Sequence, residues 1–309
     1  MNDIYSGNTG YFRTRFGDNP VAVKELRGRM RGRRAFAILT IYLTLLSTFV
    51  TLVYLAFVAG SGGSGPDLRL IGKSTFYALV LTQLFLVVFT APAFTANAIT
   101  GEREKQTYEI LRTTLLTERA FVLGKLQSAL AYVLLLIITA IPLQSIAFFL
   151  GGVSLAEMLI SQLMLTVGAL TYALLGIYFS SFMRSTLGAI IATTTVSFIL
   201  TVGFPMMGLI VGSVIGPIIM AGAATPAWPM GVMTIYGGIG LAATNLPASL
   251  IISELILVQE GSLWGFSLPF LGRSLYIPSP WYLQLICYLF FTWLLYTLTV
   301  RSLRRASAT

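Results

Sequence analysis

The chain has 309 residues, of which 56% are hydrophobic and only 10% are charged, and its net charge is +9. Water-soluble domains contain about 25% charged residues, so this composition excludes that class and predicts an integral membrane protein. There is no histidine and only one cysteine, which excludes His-based catalytic triads, histidine metal sites and a disulfide framework.

The first 35 residues form a basic, polar segment before the first apolar run. Asn19 can cap a helix and Pro20 suits the first helical position. Basic residues surround a narrow apolar stripe, a pattern that favours a helix on an anionic membrane surface. The alternative is a basic anchor without a defined helix. The polar residues assigned to this membrane-surface helix are Asn19, Pro20, Lys24, Glu25, Arg27 and Arg31.

Six apolar runs approach or exceed the roughly 20 residues that a helix needs to cross a membrane. They lie at 36–58, 76–99, 121–150, 155–182, 187–216 and 281–300. An even number of spans places both termini on one side. If that side is the inner one, only Arg69, Lys73 and Arg273 of the 20 basic residues lie outside, so the positive-inside rule predicts cytoplasmic termini. The basic residues are spread over separate membrane-flanking segments, which disfavours nucleic acid as a partner.

A charged stretch, G-E-R-E-K-Q-T-Y-E-I-L at 101–111, separates the second and third runs. Thr100 can cap a helix that begins at Gly101, and Glu102 and Glu104 suit its positive N-terminal end. The apolar residues that follow share one face, so the charges are expected to face solvent or a partner. We interpret the stretch as a docking element; the alternative is a solvated loop. Its assigned residues are Gly101, Glu102, Arg103, Glu104, Lys105, Thr107, Tyr108, Glu109 and Leu111.

The spans themselves contain almost no ionisable residues, which disfavours a proton-coupled transporter and indicates that any energy comes from another chain. Their main uncharged polar groups are Gln83, Gln144 and Gln162, for which we expect packing hydrogen bonds.

The fifth run contains a glycine repeat that predicts a smooth helix face. Its members are Gly208, Gly212 and Gly216. This face could pair two protomers or pack within one. The neighbouring Pro205 predicts a kink.

The region 221–280 has only three charged residues, Glu254, Glu260 and Arg273, and is interrupted by prolines. A soluble outer domain with so few charges would aggregate. The apolar pieces between the prolines suit re-entrant or interfacial helices. The alternative is an extra transmembrane hairpin formed by 205–222 and 231–258, which would give eight spans.

Residues 100–125 resemble the inner loop of type-2 ABC exporter permeases, which runs approximately G-E-R-E-K-G-T-x-E-x-L-L-x-T-P-L-S and ends in a G-K pair. The matching residues are Gly101, Glu102, Arg103, Glu104, Lys105, Thr107, Glu109, Leu111, Thr114, Leu116, Gly124 and Lys125. Gln106 replaces the family's glycine and Leu115 its proline, and both changes predict a more continuous helix. The N-P-V-A-V-K-E-L-R run at 19–27 and the six-span layout also resemble this family.

The resemblance implies a permease subunit of an ATP-driven ABC exporter that forms the translocation path. Such subunits form homodimers or heterodimers and recruit two ATP-binding subunits through the 101–111 loop. The chain itself would be no enzyme and hold no cofactor, because ATP and Mg²⁺ would bind to the partner. A prokaryotic cytoplasmic (inner) membrane is implied. The alternative is a membrane-embedded anchoring or assembly subunit that recruits a cytoplasmic partner without transport.

The predicted fold is an all-α integral membrane protein with a single transmembrane domain over 1–309. It comprises a cytoplasmic segment with the surface helix (1–35), spans 1–5 (36–220), an outer region of re-entrant or interfacial helices (221–280), and span 6 with a cytoplasmic tail (281–309). A cytoplasmic coupling helix lies between spans 2 and 3.

Overall fold

The computed structural model describes residues 33–60, 67–107, 117–208, 210, 213–214, 228–270 and 272–308. Within these residues, six helical stretches are apolar and long enough to cross a membrane, which confirms the six-span, mostly helical prediction. The predicted surface helix, with Asn19, Pro20, Lys24, Glu25, Arg27 and Arg31, lies outside the described residues.

The helices follow one another along the chain in a simple order. Span 1 is α1 (Arg33–Gly60), span 2 is α2 (Leu68–Thr95), and the short α3 (Thr100–Glu104) follows. Span 3 consists of α4 (Glu118–Thr139) and α5 (Ile141–Phe149), and span 4 is α6 (Leu155–Phe182). Span 5 begins as α7 (Thr186–Phe198), passes through a π-helical turn (Ile199–Gly203) and stays helical over 204–208. Two shorter helices, α8 (Trp228–Ala243) and α9 (Leu246–Glu260), precede span 6, α10 (Pro280–Ala308).

Polar residues mark the positions where many of these helices begin. Their side-chain oxygens accept hydrogen bonds from first-turn N–H groups, which have no partner within the helix. These capping residues are Asp67, Thr117, Ser154, Ser185 and Asn245. Beyond each cap the sequence is mostly apolar, as suits a helix that satisfies its own backbone in hydrocarbon.

Span 4 lies at the centre of the bundle and packs against spans 2, 3, 5 and 6. Half of the residues (50%) in the most apolar stretch of span 4 are buried, whereas only 11% are buried in the corresponding stretch of span 1. Span 1 packs mainly against span 2, with Tyr42 and Leu46 fully covered. Most of the surface of span 1 is therefore left for lipid or for another chain.

The three glutamines in the spans form a chain of side-chain hydrogen bonds. Gln162 of span 4 donates to Gln144 of span 3, and Gln144 donates to Gln83 of span 2 over 2.9 Å. Gln83 in turn donates to the carbonyl of Ile137, near the break between α4 and α5. The predicted packing role of these glutamines is confirmed.

Span 5 changes its winding just before Pro205. Proline has no N–H, so the carbonyl of Thr201, four residues earlier, loses its usual helical partner. The amide nitrogen of Asn245 donates to the carbonyls of Leu200 (2.7 Å) and Thr201 (3.3 Å). The amide oxygen of Asn245 accepts the N–H of Ala248 and so caps α9. Asn245, at the start of α9, therefore supports the altered winding of span 5, and the kink expected at Pro205 stays a prediction.

The region between spans 5 and 6 contains two short helices and a β-hairpin. α8 has 16 residues and α9 has 15, fewer than the roughly 20 needed to cross a membrane. The division into α8 and α9 argues against one span over 231–258, but most of 209–222 lies outside the described residues, so the extra hairpin stays an open alternative. Whether α8 and α9 are re-entrant or interfacial stays a prediction.

The hairpin consists of β1 (Gly265–Phe270) and β2 (Arg273–Pro278), and the sequence analysis did not predict it. The strands are antiparallel, with Gly265 opposite Pro278. The hydroxyl of Tyr236 in α8 donates to the carbonyl of Tyr276 over 2.6 Å, which attaches the hairpin to the short helices. The indole of Trp281, at the start of span 6, donates to the carbonyl of Leu263 over 2.7 Å.

Candidate docking site

The charged stretch after span 2 folds into α3 and a tight turn, together called the 100–107 element. It lies at one end of the bundle, where span 4 ends and span 5 begins. The predicted residues Tyr108, Glu109 and Leu111 lie outside the described part of the chain, so the element is described only as far as Thr107.

A serine from span 4 caps the start of the element. The hydroxyl oxygen of Ser180 accepts the backbone N–H groups of Ile99 and Thr100, each at 3.0 Å. The prediction that Thr100 caps the helix is wrong, because Thr100 is itself helical. Its hydroxyl donates to the carbonyl of Ala96 at 3.2 Å and accepts the hydroxyl of Thr186 at 3.1 Å.

Arg103 binds the end of span 4. Its guanidinium donates to the carbonyls of Ser181 (2.8 Å) and Met183 (3.2 Å). The last carbonyls of a helix have no partner within it and carry partial negative charge, so a cation is favourable there. The contact fixes the element to the point where span 4 stops.

Glu104 binds the start of span 5. Its carboxylate accepts the backbone N–H of Thr186, the first residue of α7, at 2.7 Å. A carboxylate is favourable at this positive helix end, where N–H groups are also free. Arg103 and Glu104 therefore hold the two sides of the link between spans 4 and 5.

Glu102 is bound within the chain rather than free for a partner. Its carboxylate forms an ion pair with the ammonium of Lys125 in span 3 at 2.8 Å. The Lys125 side chain is only 5% exposed and that of Glu102 is 23% exposed. The hydroxyl of Thr107 donates to the other carboxylate oxygen. The expectation that this charge faces solvent or a partner is therefore wrong for Glu102.

The element ends in a left-handed turn at Gln106, whose φ is +57°. The N–H of Thr107 donates to the carbonyl of Glu102, and the N–H of Gln106 donates to that of Arg103, each at 3.0 Å. These two bonds define a Schellman motif, in which glycine usually occupies the left-handed position. The prediction that Gln106 makes the helix more continuous is wrong: α3 ends at Glu104, and Gln106 adopts the conformation that favours the family's glycine.

The exposed surface of the described element consists of Glu104, Lys105 and Gln106, while Gly101 is partly covered. The sequence did not identify the element's main intramolecular partners, which are Ser180, Ser181, Met183 and Thr186. Lys125 was noted only as part of the G-K pair. No local pattern indicates the contacts with these four residues, because they lie about 80 positions after the element in the sequence.

The second predicted site, the glycine face of span 5, is described only in part. A β-carbon added at Gly208 would meet nothing within 4 Å, so the described residues leave this position open. Gly212 and Gly216 lie outside the described residues. Both interpretations of this face, as a dimer contact or as packing within one subunit, therefore stay open.

A family model described as "ABC-2 family transporter protein" matches residues 19–219, about two thirds of the chain. The matched segment includes most of the basic N-terminal region, the 100–107 element and the first five spans as described. No curated protein matches the chain.

Proposed function

Because the chain belongs to the ABC-2 family of transporter proteins, we propose that it is the permease subunit of an ATP-driven exporter. In this proposal a second permease subunit completes the path, and two ATP-binding subunits supply the energy. ATP and Mg²⁺ bind to those partners, so this chain needs no catalytic residues or cofactor of its own. The protein functions in a prokaryotic inner membrane with both termini in the cytoplasm.

The observation that carries the proposal is the attachment of one short element to three spans. The 100–107 element binds span 3 through Lys125, span 4 through Ser180 and Ser181, and span 5 through Thr186. A partner that displaces this element would move the ends of these spans together. Such contiguous, well-packed contacts are suited to transmit a conformational change.

The surface of span 1 suggests where the second permease subunit and the translocation path lie. It has one face packed on span 2, one apolar face and one exposed face of hydroxyl side chains that fall together at helical spacing. This hydroxyl face is an open surface whose described lining residues all belong to span 1. Its members are Thr40, Thr44, Ser47, Thr48 and Thr51. Because small and hydroxyl residues favour helix contacts in membranes, we place the second permease subunit and the path beside this face.

The docking role is tested with Lys105→Glu. Lys105 is an exposed residue of the element. We expect the reversal of its charge to weaken binding of the ATP-binding subunit by about tenfold or more, and a tenfold loss corresponds to about 1.4 kcal/mol of binding free energy. Co-purification at several salt concentrations measures this effect. The thermal midpoint of the purified chain should stay unchanged.

The matched control is Arg69→Glu, an equal charge reversal at the opposite end of span 2, where the side chain is also exposed. It should leave co-purification intact. Equal loss of binding in both variants would contradict docking at the element. A co-purified partner without a nucleotide site would instead favour the anchoring function.

The proposed topology is tested by cysteine labelling in a Cys287→Ser background. We expect an impermeant thiol reagent applied to intact cells to modify a cysteine at position 64 but not at position 117 or 307. Most basic residues lie on the side of the membrane that carries positions 117 and 307, and the positive-inside rule makes that side cytoplasmic. Permeabilised cells provide the control for reactivity. Labelling of position 307 in intact cells would reverse the proposed orientation.

A further inference from the structure

A cavity of about 290 Å³ lies between spans 2 and 4 and α9, at the end of the bundle opposite the 100–107 element. Its walls are mainly apolar, with Phe76 and Val80 from span 2 and Leu250 and Leu255 from α9. Ligand pockets in proteins enclose about 300–1,000 Å³. The volume lies just below this range, so it suits part of one hydrocarbon chain and is too small for a bulky ligand.

One carboxyl group, that of Glu254 in α9, faces this apolar space. The ammonium of Lys73 lies 3.6 Å from it, and the two side chains are 24% and 12% exposed respectively. Among the described residues, the other titratable groups that act on Glu254 are Glu157 of span 4 and Tyr77 of span 2. The cavity thus has an apolar interior and a charged rim.

When both of its carboxyl groups are ionised, the rim has one more negative than positive group. Lys73 provides one positive charge, whereas Glu157 and Glu254 provide two carboxyl groups. The buried Oε2 of Glu157 has no hydrogen-bond partner among the described residues, and the buried Oε1 of Glu254 has only the Lys73 ammonium at 3.6 Å, too far for a hydrogen bond. A buried charge is costly unless it is paired and hydrogen-bonded. The rim is therefore complementary to a cationic group that can donate hydrogen bonds.

A proton can satisfy the same requirement when no cation is bound. Burial, and then the neighbouring Glu157 carboxylate, raise the pKa of Glu254 to about 7, although Tyr77 and Lys73 oppose the shift. Near neutral pH, Glu254 therefore exchanges its proton readily. A cation that requires the carboxylate must compete with that proton, so its binding weakens as the pH falls below this pKa.

We propose that this cavity binds an ethanolamine phospholipid of the adjacent leaflet, with part of one acyl chain between Val80 and Leu250 and the ammonium on Glu254 and Glu157. The zwitterionic headgroup suits the rim, because its phosphate can approach Lys73 while its ammonium meets the carboxylates. A primary ammonium donates hydrogen bonds to carboxylate oxygens, whereas the trimethylated ammonium of choline cannot. The site is independent of the proposed transport function.

The experiment compares two lipids with identical acyl chains, phosphatidylethanolamine and phosphatidylcholine. Each is titrated into the purified full-length chain in detergent, and binding is measured by native mass spectrometry and by the rise in thermal midpoint. We expect the ethanolamine lipid to bind about tenfold tighter at pH 8, a difference of 1.4 kcal/mol. Its affinity should fall by about tenfold per pH unit below the pKa of Glu254 and stay constant between that pKa and pH 8.

Two variants of α9 identify the group responsible. Glu254→Gln keeps the side-chain volume and removes the charge, so it should abolish both the lipid preference and its pH dependence. Glu260→Gln makes the same change at an exposed position of the same helix and should preserve both. Equal affinity of the wild-type chain for the two lipids at every pH would overturn the proposal, as would an undiminished preference in Glu254→Gln. Neither result depends on transport or on an ATP-binding subunit.

Discussion

Replacing Glu102 with alanine is expected to destabilise the chain strongly, because it removes the carboxylate that pairs with the nearly buried Lys125 ammonium. The ion pair joins the 100–107 element to span 3 at 2.8 Å, and the Lys125 side chain is only 5% exposed. Removing one partner of a desolvated pair typically costs about 2–5 kcal/mol. The thermal midpoint of the purified chain should fall markedly, and less folded protein should be recovered from membranes.

The double variant Glu102→Ala with Lys125→Met separates a structural role from a docking role. It removes both charges and retains an apolar side chain of similar length in span 3, a replacement that is often nearly neutral for a buried pair. We therefore expect it to recover most of the stability and the binding of the ATP-binding subunit. If the double variant were no more stable than Glu102→Ala, the ion pair with Lys125 would not be the source of the stability that Glu102 provides.

Glu104→Ala provides the control within the same element. Glu104 is exposed, and its described contact is the hydrogen bond to the N–H of Thr186. Its loss should lower the thermal midpoint much less than the loss of Glu102. A larger effect of Glu104→Ala would indicate that the link to span 5, rather than the ion pair to span 3, holds the element in place.

The sequence predicted the element but not its attachment. Four consecutive charges between two apolar runs mark a segment outside the membrane, and this signal is local. The cap by Ser180 and the Arg103 bonds to Ser181 and Met183 join positions about 80 residues apart. Periodicity and composition give no information on such contacts. The carboxylates were therefore assigned to an external partner although the chain itself binds them.

Gln106 illustrates a second limit of sequence analysis. Glutamine favours helix interiors, and its presence in place of glycine predicted a longer helix. The hydrogen bonds from Thr107 and Gln106 that close the turn impose a left-handed residue at this position. A residue other than glycine there costs roughly 1–2 kcal/mol, which the contacts of the element with spans 3, 4 and 5 can offset. Tertiary contacts, rather than local propensity, determine where α3 ends.

The hairpin before span 6 was missed for a related reason. Pro269 and Pro278 appeared to interrupt short helices, because proline breaks helices and central strands alike. In a two-stranded hairpin both strands are edges, where proline is tolerated on the side that needs no N–H bond. Pro269 lies opposite Ser274, and Pro278 is the last residue of its strand. The hydrogen bond from Tyr236 of α8 then attaches the hairpin to a neighbour that no local pattern identifies.

Replacing Gly176 with alanine is expected to disturb the crossing of spans 2 and 4, from which the chain continues into the 100–107 element. A β-carbon at this position would lie 2.9 Å from the carbonyl oxygen of Pro92 and 3.1 Å from the backbone nitrogen of Ala96, and would collide with the hydroxyl of Thr95. Backbone atoms cannot rotate away, so the spans must separate. Overpacking of this kind costs about 1–3 kcal/mol.

The displacement should also reduce coupling, because α3 begins only four residues after Ala96 and depends on Ser180, one turn beyond Gly176, for its cap. Gly176→Ala should therefore lower both the thermal midpoint and the transport-linked ATPase activity of the assembled complex. Gly240→Ala is the matched control, since a β-carbon there would meet nothing within 4 Å. If Gly176→Ala retained the stability and coupling of Gly240→Ala, the close approach of spans 2 and 4 would not be what positions the element.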